Sequence, residues 1–323
     1  MPPVRNHHDR LFGHVFSQPE HAEGELRLLL PPTLSAKLDW STLRVERTHI
    51  IDAHLADRRM DVLFSVQLHG RELYLYLLLE HQSTPDYWMA LRLLGAMLRI
   101  WEDHLSNHAD TKKLPAILPM VVTHADGGWS SPVTLRELLD LDAATFDVLA
   151  AHLPDFAFLL DDLSRTRAED LRHRSMTALG HLTLFCLKRA RSSTAFKAEL
   201  ERWLDAMDKV LEAPNGVAAL GAVLRYVLEA SETSPEELRE LTKRLGPKAE
   251  EAFMTGAQIL TAAARAEGKA EGKAEVLLRQ LRLKFGPLPE GVAGRINAAS
   301  PADLDRWIDR VITATTLESV LAD

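Results

Sequence analysis

The 323-residue chain has a single cysteine, Cys186, so no intramolecular disulfide can form. That excludes a disulfide-stapled secreted scaffold and leads us to expect a reducing, cytoplasmic setting. Long hydrophobic runs are also absent. The longest, residues 73–79, falls far short of the roughly 20 residues that span a bilayer. The first twenty residues contain no continuous apolar segment of the kind a signal peptide needs, so membrane insertion is not expected. Positive charge is in deficit, with 38 Lys+Arg against 46 Asp+Glu and a formal net charge of -8. The deficit is spread evenly: residues 1–130 hold 13 basic and 16 acidic side chains, and the remainder hold 25 and 30. Coating nucleic acid by bulk electrostatics needs the opposite balance, so any contact with phosphate would be local and metal-assisted. There is no P-loop and no GxGxxG, which argues against a nucleotide-driven machine. No glycine-rich elbow surrounds Ser83, and no cationic, aromatic-rich arm is present.

The composition that remains, 46% hydrophobic and 26% charged, is that of globular material long enough for about two domains. Eleven of the fourteen histidines lie in the first 124 residues, so the N-terminal part is chemically distinct. Apolar spacing predicts helix over 8–30, interrupted near Pro19 and stopped by Pro31-Pro32. Extended segments follow at 43–51, 60–68 and 72–82, the last apolar enough for a doubly buried central strand. Helix returns over 86–106 and a buried strand over 114–123. This order indicates an α/β fold, a mixed sheet flanked by helices, followed by a mainly helical C-terminal half. That half is predicted as helices at 132–140, 165–191, 194–212, 216–231 and 235–246, with 156–160 as its one candidate strand. Boundaries are expected at 1–190 for the sheet domain, 191–247 for a helical extension, 248–285 for a long linker helix and 286–323 for a small helical module. The linker helix contains EGKA twice in tandem, at 267–270 and 271–274. Its four-residue period sets glycine, acidic and basic rows along the helix, a surface that reads either as a solvated linker or as a site of self-association. In the terminal module, Ser300 before Pro301 reads as a helix N-cap.

The segments at 60–68 and 72–82 are separated by His69-Gly70, a pair suited to a tight hairpin. An even-numbered loop that faces Leu68 with Arg71 sets Asp61 across from Leu78 and Arg59 across from Glu80. Asp61 and Glu80 then occupy one face as diagonal neighbours, about 7 to 8 Å apart at the backbone. Gln82 shares that face and His81 takes the other. A carboxylate that ends so apolar a strand needs compensation. Two compensations remain open: a cross-strand ion pair with Arg59, which has no functional meaning, or a hard cation such as Mg²⁺, which accepts one or two carboxylates, waters and phosphate oxygens. A three-residue loop would reverse the facing and remove the second.

HDRLF (8–12), MDVLFSV (60–66) and LYLLLEHQSTPDYWMALRLL (75–94) resemble the recombination-promoting nuclease family, also described as YhgA-like transposases. The segment ILPMVVTHADGGW (117–129) is similar to a family segment as well, although Ala125-Asp126 separates His124 from Gly127, and no role is carried onto that histidine. The resemblance covers roughly 7–190 and implies a PD-(D/E)xK nuclease-like core. The segment from 282 to 311 is similar to a small helical domain often appended to such proteins. By this resemblance Asp61 is the motif aspartate, Glu80 the second acidic ligand, and Gln82 stands where the superfamily usually has lysine. An amide can orient water or a phosphate oxygen but cannot deprotonate water, so catalysis would rest on Mg²⁺, with Mn²⁺ as a substitute. The implied ligands are Asp61, Glu80 and the backbone carbonyl of His81. The resemblance further allows His8 and Asp9 to complete the site, against the reading of Asp9 as a helix cap.

Other residues have simpler readings. Ser83 and Thr84 read as caps of the following helix, and Arg92 and Arg99 as exposed polar-face residues that could touch phosphates. His104 and His108 lie four apart on a helix, like two zinc ligands, but lack a third. Two functions are carried forward. One is a Mg²⁺-dependent endonuclease acting on DNA, with C-terminal helices for partner binding or homo-oligomer formation. The other is a non-catalytic interaction protein that keeps the hairpin for structure. A transposase activity is disfavoured by the lack of a separate DNA-recognition domain.

Overall fold

The computed structural model describes residues 7–46, 61–80, 85–125 and 127–322. The chain divides into two compact units, Asn6–Gly256 and one that contains Ala257–Asp323.

The first unit is built on a five-stranded mixed sheet, in sequence order: β1 (Leu38–Val45), β2 (Asp61–Leu68), β3 (Arg71–Glu80), β4 (Ala116–Thr123) and β5 (Leu159–Asp162). The β1–β2 and β2–β3 pairs are antiparallel, and the β3–β4 and β4–β5 pairs are parallel. Before the sheet come α1 (His7–Phe16), α2 (Pro19–Leu29) and the single turn α3 (Pro32–Ser35). The long α4 (Met89–Asn107) makes the crossover from β3 to β4, the length a parallel connection requires. After β4 come α5 (Ala143–Leu149), α6 (Ala178–Arg189), α7 (Phe196–Glu201), α8 (Leu204–Leu211), α9 (Gly216–Ala230) and α10 (Pro235–Leu245).

Strand alternation explains how the sheet is covered. Phe64 and Val66 of β2, Leu75, Leu77 and Leu79 of β3, and Met120 and Val122 of β4 form one face. They pack in a single core with Leu11, Phe12, Val15 and Phe16 of α1 and with residues of α2, α6, α8 and α9. Leu63, Tyr74, Tyr76, Leu78 and Val121 form the other face, covered by Met89, Leu93, Met97 and Ile100 of α4. From Leu73 to Glu80 every residue of β3 is buried, as its unbroken apolar run predicts for a central strand. The hairpin that starts β3 turns on His69 (φ 50°) and Gly70 (φ 72°). Two consecutive left-handed residues form the two-residue turn whose twist matches the strands, and glycine occupies it without strain.

Four expectations need correction. The strand expected from residue 43 begins at Leu38. The segment at 132–140 is not a helix: Thr134 makes an isolated bridge to Ala157, and only a 3₁₀ turn, Arg136–Leu138, follows. The helix expected over 165–191 is confined to Ala178–Arg189, capped by the Thr177 side chain, and two 3₁₀ turns precede it. The last strand begins at Leu159 rather than 156. In the two helix cases charged or capping residues offer the backbone local partners that compete with a continuing helix.

The second unit contains most of α11 (Pro247–Phe285), then α12 (Val292–Asn297), α13 (Pro301–Thr313) and α14 (Leu317–Val320). Leu277 and Leu281 of α11 pack with Ile296, Leu304, Trp307, Val311 and Val320 in a small core of their own. Ser300 caps α13 by accepting from the Asp303 amide. Among the described residues, no helix is long and apolar enough to cross a membrane.

Candidate active site

The β2–β3 register pairs Leu68 with Arg71 and Asp61 with Leu78, the facing that an even-numbered loop requires. Asp61 therefore stands on the same face of the sheet as Tyr76, Leu78 and Glu80. The side chains confirm the facing, because the Tyr76 hydroxyl donates to Asp61 Oδ2 at 2.6 Å. Glu80 is one diagonal step from Asp61, about 7 to 8 Å at the backbone. It is fully buried (0%) at the end of β3, opposite the equally buried Thr123 of β4. Asp61 begins β2 and Glu80 ends β3, so antiparallel pairing brings both to one end of the sheet. The apolar alternation of the hairpin is what sets both carboxylates toward α4.

The two carboxylates meet the minimum donor set for a hard divalent cation, which takes one or two carboxylates together with waters and phosphate oxygens. Among the described residues, no group of three or more His, Cys, Asp or Glu side chains is arranged to hold a metal ion. His81, Gln82 and Arg59, with Ser83 and Thr84, lie outside the described residues.

His8 and Asp9 are both buried in the first turn of α1. Asp9 is thus inside the helix rather than at its cap. The His8 ring lies 4.7 Å from that of His124, the residue after β4, and His8 Nδ1 lies 2.8 Å from the Tyr226 hydroxyl. Burial pushes the Tyr226 pKa well up, so that hydroxyl stays protonated. The start of α1 therefore reaches the same end of the sheet as Glu80, but from the face opposite α4. His104 and His108 stack at 4.3 Å, yet His104 Nδ1 is within 3.2 Å of the Tyr74 hydroxyl and His108 Nδ1 is within 3.0 Å of a backbone carbonyl. Each has an ordinary hydrogen-bonding role. Arg92 pairs with Asp86 at 3.2 Å.

The same end of the sheet holds a second set of charges that the sequence reading did not single out. Asp161 and Asp162 end β5. Asp162 accepts from the Trp129 amide (2.9 Å) and from the Ser164 amide and hydroxyl (3.1 and 2.6 Å), so it ties two loops together. Asp161 receives both Nη atoms of Arg174 (2.6 and 3.0 Å), and Arg174 Nη1 also donates to Glu25 Oε2 of α2 at 3.0 Å. Glu25 is completely buried, and desolvation first, then the charge of Asp161, raises its pKa well above the usual carboxylate range; Arg174 opposes the shift. This contact needs Gly24, because a Cβ there would meet the Ser175 carbonyl oxygen at 2.5 Å and collide with Met176. One signal was available in the sequence: FAFLLDD (156–162) ends an apolar run in carboxylates, just as LYLLLE does.

Comparison with known proteins bears on the family. Residues 6–217 match the family described as "Putative transposase, YhgA-like". The chain is 34% identical over 173 residues to Recombination-promoting nuclease RpnA of Escherichia coli (strain K12), covering 53% of this chain but only 57% of that protein. It is 28% identical over 256 residues to Recombination-promoting nuclease RpnD of Escherichia coli O157:H7, covering 78% of this chain and 92% of the relative. It is also 27% identical over 285 residues to the Inactive recombination-promoting nuclease-like protein RpnE of Escherichia coli (strain K12), covering 86% and 90%. No solved structure matches. With about two thirds of its length inside the family match, the chain belongs to the YhgA-like family, whose relatives include proteins named recombination-promoting nucleases.

Proposed function

We propose that the chain is a metal-dependent DNA endonuclease with a PD-(D/E)xK-like core that hydrolyses phosphodiester bonds. The observation that supports this most is the β2–β3 register, which puts Asp61 and the fully buried Glu80 on one face at one end of the sheet. A carboxylate at so buried a position needs compensation, and a hard cation is a group that supplies it. Nuclease-named relatives support the same reading.

In this proposal Asp61 and Glu80, with the His81 backbone carbonyl, hold Mg²⁺, or Mn²⁺ in its place. Bound there, the cation would supply a Lewis acid that acidifies water and offsets charge on the scissile phosphate. Tyr76 orients the Asp61 carboxylate through its 2.6 Å hydrogen bond to Oδ2. Gln82 orients water or a phosphate oxygen, since its amide can donate and accept but carries no charge. Asp9 and His8 lie at the same end of the sheet but on the opposite face, and no ligand role is assigned to them.

A second reading, a non-catalytic interaction protein that retains this fold, is favoured by the relative named inactive, which aligns over most of this chain. Incubation of wild type and Asp61→Ala with supercoiled DNA and Mg²⁺ or Mn²⁺ separates the two. The nuclease reading expects nicking by wild type and its loss in the variant. Equal nicking by both rejects the site, and no nicking with any divalent cation rejects the nuclease in favour of the second reading.

A further inference from the structure

The chain is acidic as a whole, but residues 165–202 hold nine Lys and Arg against four Asp and Glu, and the fold gathers five of these cations at the end of the sheet where Asp61 and Glu80 lie. The loop after β5, the end of α6 and the start of α7 enclose a groove of about 430 Å³. Arg165, Arg167, Lys188, Arg189 and Arg202 line it, against two carboxylates, Glu169 and Glu199. A cavity of about 180 Å³ shares Ser164, Lys188 and Arg189 with this groove and is lined at its other end by His124. His124 follows Thr123, the ladder partner of Glu80. The groove therefore begins at the end of the sheet where Asp61 and Glu80 lie, on the α6 face rather than the α4 face, and about two strand spacings, roughly 10 Å, separate β3 from β5 there.

The cations differ in how they are held. Arg189 is clamped by Glu199 through two contacts of 2.7 Å, and Lys188 Nζ donates to the Leu163 carbonyl at 2.6 Å. These two form the floor. Arg165 (75% exposed) meets Asp162 at 3.1 Å, and Arg202 (71% exposed) meets Glu169 only at 4.0 Å. Arg167 is exposed, and among the described residues no carboxylate lies within ion-pair distance of it. Exposed pairs of this kind contribute little and exchange readily for another anion. Guanidinium groups suit phosphate oxygens, which they grip through paired donors.

We propose that this groove holds the phosphate backbone of duplex DNA, with Arg165, Arg167 and Arg202 contacting phosphates and Lys188 and Arg189 setting the local field. The proposal rests on the nuclease reading and adds to it the surface by which an acidic chain keeps hold of its substrate. The groove lies within one compact unit.

The test is fluorescence anisotropy of a labelled duplex of about 20 base pairs against the full chain in EDTA, where cleavage is absent, across about 50 to 200 mM salt. Arg167→Ala/Arg202→Ala should bind about tenfold more weakly at the low-salt end, with a salt slope reduced by about 2, while Arg167→Lys/Arg202→Lys should retain most of the affinity. Both side chains are exposed, so thermal unfolding of the variants should match wild type. Affinity and slope unchanged in the alanine variant overturn the groove, and so does wild type that fails to bind the duplex. Nicking assayed separately with Mg²⁺ keeps the two ideas apart. Wild type that nicks while the alanine variant binds normally refutes the groove alone. Weakened binding by the variant, with no nicking by wild type, supports the groove and refutes the nuclease.

Discussion

Replacing Arg174 with methionine perturbs the charge network that fastens β5 to α2. Arg174 is 8% exposed and serves two carboxylates, Asp161 through two contacts and Glu25 through one. Methionine fills similar volume but leaves both carboxylates buried without their cation. Breaking a buried pair in this way costs about 3 to 5 kcal/mol, because the remaining charge stays desolvated. For a folding unit of this size each kcal/mol shifts the melting temperature by about 2 to 4 °C, so the loss should be roughly 6 to 20 °C. The pH dependence has a definite sign. Burial already raises the Glu25 pKa well above its ordinary value of 4.5, and Arg174 is the group that lowers it. Without Arg174 the folded-state pKa rises further, so the folded protein binds more protons than the unfolded chain at neutral pH. The stability tied to this proton is fully present below the ordinary carboxylate pKa and is lost as pH rises through the folded value. The deficit of Arg174→Met relative to wild type should therefore be largest near neutral pH and shrink towards about pH 5. Thermal unfolding followed by circular dichroism across that range measures it. The triple change Arg174→Met/Asp161→Asn/Glu25→Gln should recover most of the loss, since neutral groups of the same shape escape the desolvation penalty. A deficit under about 1 kcal/mol, or one that stays constant with pH, would refute the reasoning.

Two smaller perturbations test the packing around the candidate site. Tyr76→Phe removes a hydrogen bond to a carboxylate and should cost about 1.5 to 3 kcal/mol in urea unfolding. It should also raise the Mg²⁺ concentration needed for half-maximal nicking, because Asp61 loses the group that orients it; unchanged metal dependence would rule out that role. Gly24→Ala drives a methyl group into the Ser175 carbonyl and Met176, so the loop must move away from α2. Overpacking of this kind costs about 1 to 3 kcal/mol, and an unchanged denaturation midpoint would contradict the close approach.

The sequence by itself determined the hairpin, and its register once the loop is even-numbered. A Val- and Phe-rich segment at 61–68, an unbroken apolar run in 73–79 and a His-Gly pair between them gave the hairpin, and the facing followed on condition of an even-numbered loop, which the register bears out. Asp61 and Glu80 were therefore legible as neighbours before any coordinates, as was the order of strands and helices through β4. Family membership was legible from the same segments. The helices misjudged at 132–140 and 165–177 fall where the periodicity of short apolar stretches competes with capping and charged side chains, and tertiary contacts settle such contests.

Only the tertiary structure decided the contacts between distant residues. Glu25 and Arg174 are 149 positions apart, and no local pattern pairs them; the parallel placement of β5 beside β4 and the close approach at Gly24 do so. The same holds for charge. Along the chain from 165 to 202 nine Lys and Arg stand against four Asp and Glu, an excess the sequence shows without showing which of them share a surface. Folding turns five of these cations toward one groove, with two of the four carboxylates of this stretch, Glu169 and Glu199. Net charge is a sum over the sequence, whereas the field a phosphate meets depends on position, and position is what the fold supplies.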